Sequence, residues 1–477
     1  MGLPSENRWR ILAVVILGPF MGTLDASIVN VALPVIAQRL GSDLGRIQWV
    51  VTSYLIVISS LILIFGKLSD KIGKSRVFAC GFFVFGVGSL FCALSTTLVF
   101  LVIARVVQAA GAAMFMSSNQ GIVADVFPPG ERGRALGLVG SAVAVGTMSG
   151  PPLGGFLAHF FEWQSIFIIN IPIAMFSFAA ALLVLPKDAR GDHSAGPESK
   201  MDIAGGILLV LAVSLVFWTL LSLHEQSINR VILALSALAG ALFLSLLVFT
   251  EMSVSSPLIA VELFRIPLFA VSLLSSFISF LILFALTIIH PFYLQNVMHL
   301  SPAQTGLMML AFPITALIAA PLSGYVSDKI GAGVVTVAGL AVLLCGVLLF
   351  TLFNAESSLG YIFIAALVAG TGQGIFQSPN TSILMSLAPR DKLGITGSIN
   401  AFARNMGMVS GIAFGVTLLY FCMGPAAAAE GKQHFFSGEI FVRAMRTVYW
   451  CASFMCMVAI ALTIGRAGKT AQINDIP

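Results

Sequence analysis

Charge is what this sequence has least of. Lys, Arg, Asp and Glu make up 9% of its 477 residues, whereas 58% are hydrophobic and the mean hydropathy is +1.00. Soluble domains carry about 25% charged residues. The deficit excludes a soluble enzyme, a nucleic-acid-binding protein and a disordered chain, and it leaves a polytopic membrane protein. Cysteine is sparse too. Cys80, Cys92, Cys345, Cys422, Cys451 and Cys456 sit mostly in apolar runs without metal-ligand spacing, so neither a metal site nor a disulfide framework is expected. No HExxH, GxSxG or phosphate-binding glycine loop occurs, and no polar segment is long enough to catalyse or bind independently. Neither an enzyme nor a cofactor is expected.

Glycine (45) and proline (20) are plentiful, as where membrane helices pack closely and bend. A spanning helix needs about 20 mostly apolar residues. Fourteen stretches qualify, near 11–33, 47–66, 77–95, 98–118, 136–158, 165–185, 203–223, 230–250, 268–290, 303–324, 333–353, 359–379, 397–420 and 446–466. The first is too long for a signal-peptide apolar region and has no small-residue cleavage site after it, so it is expected in the mature protein.

An even number of spans places both termini on one side. Of the 25 Lys and Arg, 17 fall on that side, six on the other, and Arg105 and Arg404 within spans. By the positive-inside rule both termini are cytoplasmic, in a plasma membrane of bacterial inner-membrane type.

The segment GKLSDKIGKSR (66–76) recurs as GYVSDKIGAGV (324–334), an offset of 258 residues at Ser69 and Ser327. Further on the offset becomes 261, pairing Phe115 with Phe376, Asn119 with Asn380, Pro128 with Pro389, and Gly146, Gly150 and Gly154 with Gly407, Gly411 and Gly415. The chain thus reads as an all-α membrane protein with a 6+2+6 arrangement. It has a six-helix bundle over 1–186, a segment 187–265 with a cytoplasmic linker, two extra helices and an interfacial stretch, and a second six-helix bundle over 266–477. Parallel six-helix halves belong to transporters that work by alternating access.

Of twenty acidic residues, only Asp25 lies inside an apolar span. Intramembrane charges cost about 2.5–3.5 kcal/mol each on insertion scales, so they mark function or a partner. At 1.5 Å per residue Asp25 lies about 21 Å from the cytoplasmic end of the first span, and Arg105 about 10 Å from the outer end of the fourth. In a core about 30 Å thick these depths nearly coincide, so the two are expected to pair. Burial opposes charge on the carboxyl and a neighbouring guanidinium favours it. Alternating the two between transporter states would load and release a proton, and a cationic substrate would compete for the same carboxylate. The plainer alternative is a static ion pair. Arg404 lies about 10 Å or less from the cytoplasmic face, where snorkelling is the expected behaviour. His159 and His290 sit at outer span ends, and His290 is the next proton-carrying candidate after Asp25.

Gly66, Asp70, Gly73 and Arg76 read as a short gating loop between the second and third spans, echoed by Asp328 in the repeat. In the fifth span, Gly146, Gly150 and Gly154 share a face suited to close helix approach, Pro151 and Pro152 favour a bend, and Gly155 closes the run GTMSGPPLGG.

Together these segments resemble the Major Facilitator Superfamily, in particular its fourteen-helix drug:proton antiporter branch of the multidrug efflux type. LDASIVNVALP (24–34) is similar to the branch's first-helix motif. GKLSDKIGKSR is similar to the superfamily's helix 2–3 loop motif, RVVQAAGAA (105–113) to the fourth-helix motif with the basic residue of proton coupling, and GTMSGPPLGG (146–155) to the antiporter motif. The chain departs at Ala109, where glycine is usual, and at Trp163-Gln164-Ser165, and it has no acid in a second-half helix.

The resemblance implies a secondary transporter that exchanges inward protons for lipophilic, often cationic, small molecules. It would act as a monomer in the lipid bilayer, without a nucleic-acid partner. Asp25 and Arg105 would couple protons. From helix depth, Asn30, Tyr54, Asn119, Gln120, Gln373 and Asn380 are the candidates for the substrate cavity. A transporter of one specific solute, such as a vitamin, metabolite or lipid, is the alternative on the same fold.

Overall fold

The computed structural model describes residues 5–186, 203–223, 229–253, 261–388, 393–424 and 438–474. The linker 187–202, and parts of the segments 251–267 and 421–445, lie outside the described residues. The described chain is helical and contains no strand. Its longer helices are α1 (Leu17–Arg39), α2 (Trp49–Ile72), α3 (Lys74–Ala93), α4 (Leu98–Val126), α5 (Pro129–Phe160), α6 (Asn170–Val184) and α7 (Ile203–Ser222). They continue with α8 (Arg230–Ser253), α9 (Pro267–Phe292), α10 (Ala311–Ile330), α11 (Ala332–Phe350), α12 (Leu359–Ser386), α13 (Leu393–Met423) and α14 (Glu439–Asn474). Among the described residues, thirteen helices are long and apolar enough to cross a membrane. The helix missing from that set is α5. It is 32 residues long and carries the run GTMSGPPLGG.

Local chemistry sets the helix ends. Thr97 caps α4 by accepting from the Phe100 amide at 3.3 Å, and Ser358 caps α12 by accepting from the Tyr361 amide at 3.3 Å. Pro129 and Pro267 open α5 and α9, where a missing N–H costs nothing. Gly73 and Gly331 turn the chain at φ 111° and 92°, a region that favours glycine. One correction follows from this. Gly66 and Asp70 lie within α2 and Arg76 within α3, so of the expected loop only Gly73 is a turn. Lys, Ser and Asp are tolerated in a helix, and the first residue able to end α2 is Gly73. Asp328 likewise falls within α10.

The chain forms two compact units. One comprises Met1–Ser42, Arg46–Leu215 and Leu238–Leu258, and the other Asp43–Gly45, Val216–Ala237 and Ile259–Pro477. The most extensive packing in the first joins α3 to α4, α1 to α5 and α2 to α4; in the second it joins α11 to α12, α9 to α13 and α10 to α12. These are the same three pairings, so the sequence repeat is a structural repeat. Residue register agrees. A Cβ on Gly154 would meet the Ile28 carbonyl, and one on Gly415 the Ala285 carbonyl. The offsets are 415 − 154 = 261 and 285 − 28 = 257. Gly88 of α3 presses on Gln108 of α4, as Gly346 of α11 presses on Ala369 of α12. In each unit small residues let the helix backbones touch, and dispersion over that contact holds the bundle where lipid removes the hydrophobic drive.

Candidate functional site

The two units share their packing but not their buried charges. Carrying Asp25 across at the 257 offset gives Ile282, and carrying Arg105 and Gln108 at 261 gives Ala366 and Ala369, all three buried. The second unit therefore has an apolar core where the first has charge.

In the first unit, Asp25 and Arg105 form an ion pair with both side chains fully buried. Oδ2 of Asp25 accepts from Arg105 Nη1. Its Oδ1 accepts from Gln108 Nε2 at 2.9 Å and from Asn170 Nδ2 at 2.8 Å. The guanidinium also donates through Nη1 to Gln108 Oε1 at 2.6 Å and through Nε to the Val50 carbonyl at 3.0 Å. Its Cζ stands 4.0 Å from the Tyr54 ring centroid and 5.7 Å from that of Phe167. Gln108 is held in turn by donation to Ser89 Oγ at 2.9 Å. α1, α2, α3, α4 and α6 all contribute to this one cluster.

Both carboxylate oxygens are engaged, by one guanidinium and two side-chain amides, which offsets the cost of burying the group. Of the guanidinium, only Arg105 Nη2 lacks a partner. A substrate cation would have to displace this whole set of donors to reach the carboxylate. Through Arg105, Gln108 and Asn170 the carboxylate ties α1 to α4 and α6.

Gly146, Gly150 and Gly154 of α5 lie against the Phe20–Ile28 stretch of α1, which contains Asp25. Thr23 Oγ1 donates to the Val143 carbonyl at 3.2 Å, and Ser27 Oγ to the Gly146 carbonyl at 3.3 Å. The glycine spacing recurs in α13 at Gly407, Gly411 and Gly415, so it is a packing device of both units. Pro151 and Pro152 are particular to α5, where α13 has Ile412 and Ala413.

Of the other candidates, Tyr54 belongs to the charge cluster. Asn30 is buried on α1, and Asn119 is buried with no partner for Oδ1. In the second unit, Asn380 donates to the Ser272 carbonyl at 3.0 Å, and buried Gln373 has an unpartnered Oε1. The side chains of Gln120, Asp70 and Asp328 lie outside the described residues. Gly155 and Pro151 are buried in α5. Next to the glycine turn, Lys74 pairs with Asp125 at 2.8 Å.

Gln108, Asn170 and Ser89 were not anticipated. Gln108 had a signal: it lies three residues after Arg105 and hence on the same helix face. Asn170 had none, since nothing in the sequence orients α6 toward α1.

His290 ends α9 with both ring nitrogens buried and unpartnered. It sits among Tyr293, Phe350 and Phe353 at centroid distances of 6.2, 5.3 and 6.0 Å. Among the described residues the ring has aromatic neighbours and no hydrogen-bond partner. His290→Phe keeps the ring contacts and removes two unsatisfied atoms. It is expected to raise stability by up to about 1 kcal/mol in thermal unfolding, with transport unchanged. A loss of gradient-driven transport would instead make His290 part of the proton path.

The family model described as Major Facilitator Superfamily matches residues 15–412 and again 272–472. The chain belongs to the Major Facilitator Superfamily. It is therefore a multi-pass membrane transporter of small molecules. Among Major Facilitator relatives, it is 34% identical to the riboflavin transporter RibZ of Clostridioides difficile, over 98% of this chain and 99% of that one. It is 30% identical to the putative multidrug resistance protein MdtD of Salmonella paratyphi A, over 99% and 98%. It is also 30% identical to the multidrug resistance protein Stp of Mycobacterium tuberculosis, over 85% and 75%. In fold it resembles a bacterial homolog of the human lysosomal transporter Spinster, with TM-score 0.69, 13% identity, and 97% and 98% of the two chains covered. A D-xylose–proton symporter gives TM-score 0.67 at 14% identity, covering 95% and 97%.

Proposed function

We propose that this Major Facilitator protein is a proton-coupled antiporter that exports lipophilic small molecules by alternating access. In this reading it has fourteen spans arranged 6+2+6, with bundles over 1–186 and 266–477, and both termini on the cytoplasmic side of a bacterial-type inner membrane. It works as a monomer. The observation that supports it best is the Asp25–Arg105–Gln108–Asn170 cluster, a buried charge pair present in one copy of the repeat and replaced by aliphatic residues in the other. A pair needed only to hold the fold would have no reason to be confined to one copy. Deprotonated, Asp25 holds Arg105 and ties three helices; protonated, it releases them, so that proton binding and the conformational state are linked. The antiport direction is supported by GTMSGPPLGG and by the likeness to multidrug resistance proteins.

A second reading, transport of one specific solute, is favoured by the nearly full-length likeness to a riboflavin transporter. Reconstituted vesicles with an imposed proton gradient separate the two. The antiport reading expects several lipophilic compounds to move against the gradient's protons. Flux of riboflavin alone, indifferent to the gradient, would replace it with the second.

A further inference from the structure

The first unit's membrane charges cancel, because Asp25 and Arg105 neutralise each other. Arg404 of the second unit has no such partner among the described residues. It stands about 12 Å into the apolar span Thr396–Met423 at 1.5 Å per residue. At the 261 offset its counterpart is Val143, so the packing repeat does not require it. Its Nε is buried without a hydrogen-bond partner, and among the described residues no carboxylate lies within ion-pair distance. Its Cζ faces the Phe280 ring at 5.7 Å. The residue as a whole is half-buried, with Nε fully buried.

Neighbouring polar groups extend the site along α9. Ser272, Ser276 and Phe280 are spaced four residues apart on one face, and they meet Asn380 of α12, Asn400 of α13 and Arg404 in turn. Ser276 Oγ donates to Asn400 Oδ1 at 3.5 Å, and the Asn400 amide nitrogen donates to no group among the described residues. The site thus offers a guanidinium fork, an amide donor and an aromatic face and, among the described residues, no acid.

An uncompensated Arg inside a membrane is costly unless something negative meets it. A guanidinium fork matches a carboxylate, sulfonate, phosphate or ionised phenol, and the adjacent ring suits an aromatic body. We propose that Arg404 is the anion-recognising residue of the second unit, and that the transported molecules are aromatic or lipophilic compounds bearing an acidic group. This rests on the transport reading but not on its proton coupling. It also departs from the cationic substrates implied by family resemblance, since Asp25 is already occupied by Arg105.

The test is equilibrium binding without any gradient, on the full chain in phosphatidylcholine nanodiscs. The probes are fluorescein and rhodamine 123, anionic and cationic dyes on the same xanthene skeleton, read by fluorescence anisotropy. Fluorescein is expected to bind, and Arg404→Gln to weaken it by about tenfold or more while leaving rhodamine 123 unaffected. Arg404→Lys is expected to fall between, because a point charge keeps the attraction and loses the fork. Thermal unfolding of each variant confirms that it is folded.

An anionic lipid headgroup shares the same chemistry. Added phosphatidylglycerol that displaces fluorescein from wild type would assign the site to lipid; no displacement would assign it to the solute. Fluorescein binding that is undetectable, or within about twofold of wild type in Arg404→Gln, overturns the proposal. So does a wild-type preference for rhodamine 123. Failure of proton coupling would leave this result untouched.

Discussion

Asp25→Asn is expected to abolish coupled transport and to lower stability by about 3–5 kcal/mol, because it strands the buried Arg105 charge. The Asn can still accept from one neighbour, but its amide confronts the donors of Arg105, Gln108 or Asn170. Arg105→Gln is expected to cost a similar amount by stranding the carboxylate. The double variant Asp25→Asn/Arg105→Gln removes both charges and leaves four neutral amides able to rearrange, so it is expected to recover most of the lost stability. Transport should not recover with it. Thermal unfolding in detergent, combined with flux in vesicles, reads both quantities from the same preparations. A double variant that is stable and fully active would reduce the pair to a structural pin.

The second large effect concerns helix contact. A Cβ on Gly150 would overlap the Ser27 side chain and crowd the Ile28 amide, while one on Gly411 would meet the Leu281 carbonyl. Neither backbone can yield without moving α1 from α5, or α9 from α13. Gly150→Ala and Gly411→Ala are each expected to destabilise by about 1–3 kcal/mol, and leucine at either position to prevent recovery of a folded monomer. Gly140, also on α5, has nothing within 4 Å of a Cβ. Gly140→Ala is expected to stabilise by up to about 1 kcal/mol through helix propensity alone. Opposite signs on one helix separate close packing from a general intolerance of glycine replacement. The measurement is the unfolding temperature and the monomer fraction on size exclusion. Gly150→Ala behaving like Gly140→Ala would contradict the packing.

The Asp25–Arg105 contact was legible because intramembrane charges are few and depth follows from helical rise. Depth does not supply azimuth, which is why Gln108, Asn170 and Ser89, ordinary polar residues among many, went unseen. The repeat was legible from glycines and loop residues, since these sustain helix contact in both copies. Its departures proved as informative: Ile282, Ala366 and Ala369 mark by contrast which residues of the first unit do something other than pack. For Arg404, helical rise gives a depth but not a side-chain direction, so its contact with Phe280 of α9 was not legible. The end of α2 was misjudged because a charged motif looked like a loop, whereas Gly73 is the first residue that breaks the helix.

The most direct test of proton coupling at Asp25 is the internal pH of sealed vesicles as substrate is added. Wild type and Asp25→Asn/Arg105→Gln, matched for folded protein, would carry a trapped pH-sensitive dye. Antiport through Asp25 predicts that substrate movement is accompanied by proton movement in wild type and by none in the double variant. Equal proton movement in both would contradict it, and would place coupling elsewhere in the chain.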